Sequence, residues 1–254
     1  MKHAEPYQYV TPTVQSSDPR MVKAIDGWLG LYEACYVIGK AMREGVVDPV
    51  ERERCRSVPN GPHPVDLLEA LIVSAEALNN SNAQWAAVGG LALNYHGRDR
   101  ASQNIDFLLL GESNDNAASI DSLLSNGLRR HPTDRETVLS ATGFRWVPLE
   151  YGQPTEPVNV DVFLARNEFV EFLYETGIES KINGMCVRVV GPEGFLVFNL
   201  VMNRAYDRAD VEELLRKKIV FDQDVLNFWV KKFSLETPLS ELQAIVKARP
   251  GRLG

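Results

Sequence analysis

Cysteine is scarce in this chain. The three that exist, Cys35, Cys55 and Cys186, show no C-x-x-C spacing and have no paired histidines beside them. That fits reduced thiols in a cytoplasm better than a disulfide framework or a zinc site. Long apolar runs are missing too: none approaches the roughly 20 residues a membrane helix requires. The opening stretch MKHAEPYQYVTPTVQSSDPR has no apolar core, which argues against a secretory signal. Nor is there an excess of positive charge. Twenty-seven Lys and Arg face 34 Asp and Glu, a net charge of −7, and this argues against broad, sequence-independent binding to a nucleic-acid backbone. There is no internal repeat and no low-complexity segment. What is present, 254 residues with 44% hydrophobic and 24% charged, is the composition of an ordinary soluble globular protein able to bury a sizeable core.

The pattern along the chain predicts four regions. Residues 1–19 are polar and proline-bearing and read as a loosely attached tail. Residues 20–80 read as a helical segment. Ile25, Trp28, Leu29, Tyr32, Cys35, Ile38 and Met42 fall at helical spacing over 21–44, and Leu68, Leu71, Ile72 and Ala75 do so over 65–78. Trp28, Tyr32 and Tyr36 occupy more than one face of the first helix. Such a helix covers the core or, as the alternative, meets a second copy in a homodimer or another partner. Residues 81–192 alternate: strands at 85–88, 105–110, 158–164 and 185–190, helices near 90–96, 117–125 and 167–176, and irregular or strand-like sequence around 137–147. Residues 193–254 read as helices throughout, over 195–202, 208–217, 224–233 and 239–246. The expected fold class is α+β, a mixed sheet flanked by helices at both ends.

The densest chemistry lies in WAAVGGLALNYHGRDRASQNIDFLLL, Trp85 to Leu110. An apolar strand meets Gly89-Gly90, a short apolar helix runs to Gly97, and Arg98 and Arg100 precede a second apolar strand carrying Asp106. A carboxylate inside such a strand is costly unless something offsets it, and a bound cation with its phosphates is a common offset. A further strand, Val158 to Phe163, carries Asp161. Taken singly, each feature has a plain structural explanation. Gly89-Gly90 could be a tight turn, either aspartate a strand-end cap or a partner of Arg98 or Arg100, and those arginines a solvated loop pairing with Asp99. His96, with no visible partner, reads as packing or capping its helix.

Taken together, these residues resemble the DNA polymerase β-type nucleotidyltransferase superfamily, in particular the small bacterial nucleotidyltransferase-like proteins that include the abortive-infection toxin group. The likeness runs from about Trp85 to about Leu215. Gly89-Gly90 matches the family's glycine pair, and the thirteen residues from Leu91 to Gln103 suit its spacing to the acidic strand. Asp106 matches the second acid of Asp-x-Asp and Asp161 the third acid, while His96, Gly97, Arg98 and Arg100 resemble its basic loop. The resemblance implies Mg²⁺ (or Mn²⁺) held by Asp106 and Asp161, a nucleoside triphosphate bound through Gly89, Gly90, Arg98, Arg100 and Arg204, and transfer of the monophosphate to an acceptor: small molecule, RNA or protein. It also implies a toxin–antitoxin setting for some members.

Two positions depart from the pattern. Asn104 stands where the first metal-binding Asp would be, and Asn199 where a helix lysine would approach the triphosphate. Both subtract charge that phosphate chemistry uses. Either Asn104 serves as a weak ligand, with a carboxylate such as Glu150 standing in, or the chain is a catalytically degenerate relative that binds a nucleotide or a protein partner. Arg204, Asp207 and Asp210 keep the family's R-x-x-D-x-x-D, although Asp207 also reads as a first-turn acid at a helix N-terminus.

Overall fold

The computed structural model describes residues 34–50, 64–97, 102, 104–111, 116–132, 137–139, 143–155, 157–217 and 219–248. The expected tail, the first half of the 21–44 helix with Trp28 and Tyr32, and Cys55 lie outside the described residues. The architecture is α+β, as expected. Among the described residues, eight strands form one mixed sheet: β1 (Trp85–Val88), β2 (Asn104–Leu110), β3 (Arg129–Arg130), β4 (Thr137–Leu139), β5 (Phe144–Tyr151), β6 (Val158–Ala165), β7 (Ile178–Ile182) and β8 (Met185–Val189). Their order is β3-β5-β6-β2-β1-β8-β7, with β4 paired on β5. The β2–β6 and β1–β8 pairs are parallel and the others antiparallel.

Around the sheet lie α1 (34–44), α2 (Pro64–Asn80), α3 (Gly89–Tyr95), α4 (Ala117–Ser125), α5 (Glu168–Glu175), α6 (Pro192–Met202), α7 (Ala205–Arg216), α8 (Gln223–Lys232) and α9 (Glu236–Ala248). Local chemistry sets several of the boundaries. Asn167 caps α5 by accepting from Phe169 and Val170 N–H, and Asp222 does the same for α8. Pro192 sits in the first turn of α6, where its missing N–H costs nothing.

Side chains alternate across the sheet. One face of β2 carries Ile105, Phe107 and Leu109, with Trp85 edge-on to Phe107 at 5.3 Å. On the opposite face stand Asn104, Asp106 and Leu108, and the register continues that face onto Asn159, Asp161 and Phe163 of β6. Helix α6 packs over this second face, with Phe198 5.7 Å from Phe144 and 6.1 Å from Phe163 between ring centres. It carries the chain to Arg204 at the same end of the sheet as Asp106. The cores of the helices and the sheet form one continuous apolar cluster, from Cys35 and Ile38 in α1 to Leu242 in α9. Among the described residues no helix is long and apolar enough to cross a membrane.

The sheet differs from expectation at three places, one of them the short strand β3 (Arg129–Arg130), which was not expected. The strand-like stretch around 137–147 is two strands, β4 and β5, and β5 runs on through Pro148, whose carbonyl accepts from His131 N–H at 3.2 Å. The β7–β8 hairpin adds a strand, Ile178–Ile182, turned by Asn183 and Gly184 at φ +50° and +84°. Two successive left-handed residues suit the right-handed twist of the strands they join.

Candidate functional site

Strand β1 ends at Val88, opposite Asp106, and Gly89 then turns the chain into α3 with φ +60°. A side chain could not stand there. A Cβ on Gly89 would lie 2.1 Å from Asp106 Oδ2, so the glycine is what leaves room for that carboxylate. A Cβ on Gly90 would lie 2.6 Å from Ser102 Oγ. The pair therefore does more than turn the chain: it makes space for two polar side chains of the site.

Asp106 and Asp161 are register partners on adjacent parallel strands. Between them lies the amide of Asn104, whose Nδ2 donates to Asp106 Oδ1 at 3.0 Å and to Asp161 Oδ2 at 2.8 Å. The other oxygen of Asp161 accepts from Trp146 Nε1 at 2.8 Å. Ser102 Oγ lies 3.0 Å from the Asn104 carbonyl and 3.3 Å from its Oδ1, donating toward both. Ser102 is itself buried, and its N–H donates to Cys35 Sγ of α1 at 3.1 Å. Helix α1 is further tied to α3 where the Arg43 guanidinium donates to the Asn94 carbonyl.

Arg204 stands at the start of α7. Its Nε and Nη2 donate to Asp207 at 2.8 and 3.1 Å, its backbone N–H donates to the same carboxylate, and its guanidinium lies over the Tyr206 ring. Burial works to lower its pKa, but hydrogen bonds and charge from Asp207, with smaller contributions from Tyr206 and Asp106, outweigh that and raise it. Asp207 is thus a helix-start acid that also fixes the arginine, while Asp106 lies within reach of the arginine's charge.

Asn104, Asp106, Asp161, Gly89 and Gly90 form one constellation, with Arg204 at its edge. Arg98 and Arg100 lie outside the described residues. Glu150 does not join the group. It lies in the cross-strand row Arg129–Glu150–Asn159–Asn104, two strands away, with its Oε2 3.0 Å from Arg129 Nε and its Oε1 3.4 Å from His131 Nε2. Asn199 is buried in α6, donating to the Phe195 carbonyl of its own helix at 2.8 Å. Trp146 and Ser102 are the participants that sequence reasoning missed. Their part depends on the β5–β6 pairing and on the approach of α1, and neither leaves a local pattern.

His96 closes α3, with Nε2 2.9 Å from the Val190 carbonyl and its ring beside Tyr95 and Phe195. Burial lowers its pKa, only partly opposed by the Val190 bond and the charge of Glu193. The unfolded chain therefore binds this proton more readily than the folded one, so the histidine's effect favours folding above the unfolded pKa, near 6.5, and turns against it as pH falls. In urea titrations, the stability lost between pH 7.5 and pH 5 should be smaller for His96→Gln than for the unsubstituted protein. Equal losses would place the acid sensitivity elsewhere.

A divalent ion of the Mg²⁺ type needs oxygen ligands at about 2.0–2.1 Å. One nitrogen atom reaches an oxygen of each aspartate, so the two carboxylates face a common point that such an ion would occupy, and Asn104 Oδ1 could supply a third oxygen. The donor set fits, with two charges rather than three. Among the described residues, no group of three or more His, Cys, Asp or Glu is placed to hold a metal ion.

No protein-family model matches the chain, and no curated sequence matches it. Solved structures give a fold-level likeness. An antigenic nucleotidyltransferase-like protein from Paracoccidioides brasiliensis matches 69% of this chain and 91% of its own at 16% identity, TM-score 0.43. JHP933 from Helicobacter pylori matches 74% and 82% at 18% identity, TM-score 0.40. ANT(2")-Ia, solved with adenylyl-2"-tobramycin, matches 72% and 99% at 16% identity, TM-score 0.41. None of these scores reaches 0.5.

Proposed function

We propose that the chain is a nucleotidyltransferase-type protein. It binds a nucleoside triphosphate with a divalent ion, Mg²⁺ or Mn²⁺, at Asp106 and Asp161, and transfers the monophosphate to an acceptor hydroxyl. The observation that carries this is the convergence of Gly89 with the two register-paired aspartates: the turn is built around a carboxylate, and that carboxylate faces a second one. When bound, the ion would offset triphosphate charge and make the acceptor hydroxyl more acidic. The chain's own part is to hold Asp161 Oδ1 with Trp146, so that Oδ2 faces the Asn104 amide and the ligand beyond it, and to bring Arg204 to the phosphates. In the transfer, the acceptor oxygen bonds to the α-phosphorus as the bond to the bridging oxygen breaks. Pyrophosphate leaves, and the hydroxyl proton passes to Asp161.

Calorimetric titration of ATP, GTP, CTP and UTP in the presence of Mg²⁺ tests this. At least one should bind, and Asp106→Asn should weaken it by about a hundredfold or more, the loss of a charge beside a divalent ion. No binding by any of the four would end the reading. Asn104, Asn199 and the neutral clamp between the acids favour a second reading, a degenerate relative that binds a nucleotide without transferring it. Metal-dependent binding with no pyrophosphate released, whatever the acceptor, would select it. Membership of the abortive-infection group would show as slowed host growth on expression.

A further inference from the structure

We propose that the Asn104 amide takes the place of the divalent ion in the nucleotide-free protein, so that the ion enters the site only together with a nucleotide. This rests on the nucleotide reading above and adds an order of events to it. Two carboxylates side by side in a sheet repel each other and need a cation or a hydrogen-bond donor between them. Here that partner is built in. Both hydrogens of Asn104 Nδ2 are spent, one on Asp106 and one on Asp161, at 3.0 and 2.8 Å. Bonds from a neutral donor to an ionised acceptor are stronger than neutral ones, and the two are formed by a single group.

That amide is backed by a buried hydroxyl. Ser102 Oγ donates toward Asn104 Oδ1 and toward its carbonyl. Ser102 is in turn boxed in: any side chain at Gly90 would strike its hydroxyl, and its N–H is held by Cys35 Sγ. Turning the amide over would aim Oδ1 at two carboxylates, which is repulsive until a cation lies between them. A bare hydrated Mg²⁺ gives up its water reluctantly. To enter, it would have to break both bonds, turn the amide and accept only two charges in return.

A nucleotide changes that balance, because its phosphates have already displaced water from the ion and bring further oxygen ligands. Half a turn of the Asn104 amide then presents Oδ1 to the site and Nδ2 to Ser102. A hydroxyl can accept as well as donate, so Ser102 serves both orientations. The replacement of Asp by Asn at this position thus makes metal binding conditional on nucleotide binding.

Thermal unfolding and calorimetry with MgCl₂ alone, with no nucleotide, supply the test. The unsubstituted protein should show no change in Tm on adding millimolar Mg²⁺ or a chelator, and no heat of Mg²⁺ binding. Asn104→Asp replaces the clamp with a third repelling charge. Its Tm should fall without metal and rise with Mg²⁺, and bare Mg²⁺ should bind it at least about a hundredfold more tightly. If that variant does not fold, the side-chain amide signals of Asn104 in ¹⁵N-labelled unsubstituted protein decide. They should move on adding Mg²⁺ with a non-hydrolysable nucleoside triphosphate analogue and stay fixed with Mg²⁺ alone. Tight binding of bare Mg²⁺ to the unsubstituted protein, or amide signals that move with Mg²⁺ alone, would overturn the proposal and leave the nucleotide reading intact. Silence toward both Mg²⁺ and Mg²⁺–nucleotide would instead remove the nucleotide reading, and this proposal with it.

Discussion

Gly89→Ala should abolish nucleotide binding and destabilise the protein by about 2–4 kcal/mol, the sum of a left-handed backbone penalty and a steric conflict. At φ +60° an L-residue is disfavoured by about 1–2 kcal/mol. The new methyl would also lie 2.1 Å from Asp106 Oδ2 and 2.8 Å from its Cγ, so the aspartate must swing away. That breaks its bond from Asn104 and its alignment with Asp161, and one methyl group thereby dismantles the carboxylate pair. Gly184→Ala is the matched control. It also has positive φ, at +84°, but nothing lies within 4 Å of its added Cβ. It should lose only the backbone part of the stability and keep nucleotide affinity unchanged. Urea unfolding and nucleotide calorimetry on both variants separate the two contributions. If Gly89→Ala bound nucleotide as the unsubstituted protein does, Asp106 would have no part in holding it.

The pieces of this site were legible in the sequence, but their assembly was not. Strands β1, β2 and β6 are short apolar runs bounded by turn residues, and a charged residue inside such a run marks Asp106 and Asp161 as unusual. Their register is a pairing across more than fifty residues, and local periodicity carries no record of it. The same limit hid Trp146, which reaches Asp161 from β5, and Ser102, which is held by Cys35 of α1. Strand β7 was missed for a different reason. Ile178–Ile182 is largely exposed and polar, so it lacks an apolar run, yet the Asn183-Gly184 pair after it is a strong hairpin signal. Pro148 made β5 look shorter than it is, since proline inside a strand usually marks an end. Asn104 could be seen from the sequence as a lost charge. That it spends both amide hydrogens on the two acids is a property of the folded sheet alone.

Asn199→Lys, which places the charge that the resemblance would expect, should destabilise the protein by about 3 kcal/mol or more without tightening nucleotide binding, because an ammonium placed in an apolar slot must be desolvated or lose its proton. Asn199 is 2% exposed, and every residue of α6 from Gly194 to Leu200 is buried. Its amide returns to the Phe195 carbonyl one turn back, a bond that satisfies the side chain within its own helix. A lysine has no such partner, and the aromatic packing of Phe198 on Phe144 and Phe163 leaves α6 little freedom to lift. Asn199→Leu, which removes the polar group and its bond together, should change stability by about 1 kcal/mol or less. Urea midpoints and nucleotide titrations on the two variants distinguish a position absorbed into the core from one that still opens on the phosphates. A stable Asn199→Lys protein with higher nucleotide affinity would show that the ammonium reaches the site, and that charge at this helix limits the activity of the chain. A lysine variant that fails while the leucine variant folds would mean that position 199 belongs to the packed core and not to a phosphate site. Arg204 would then be the cation of the described site left to meet the triphosphate.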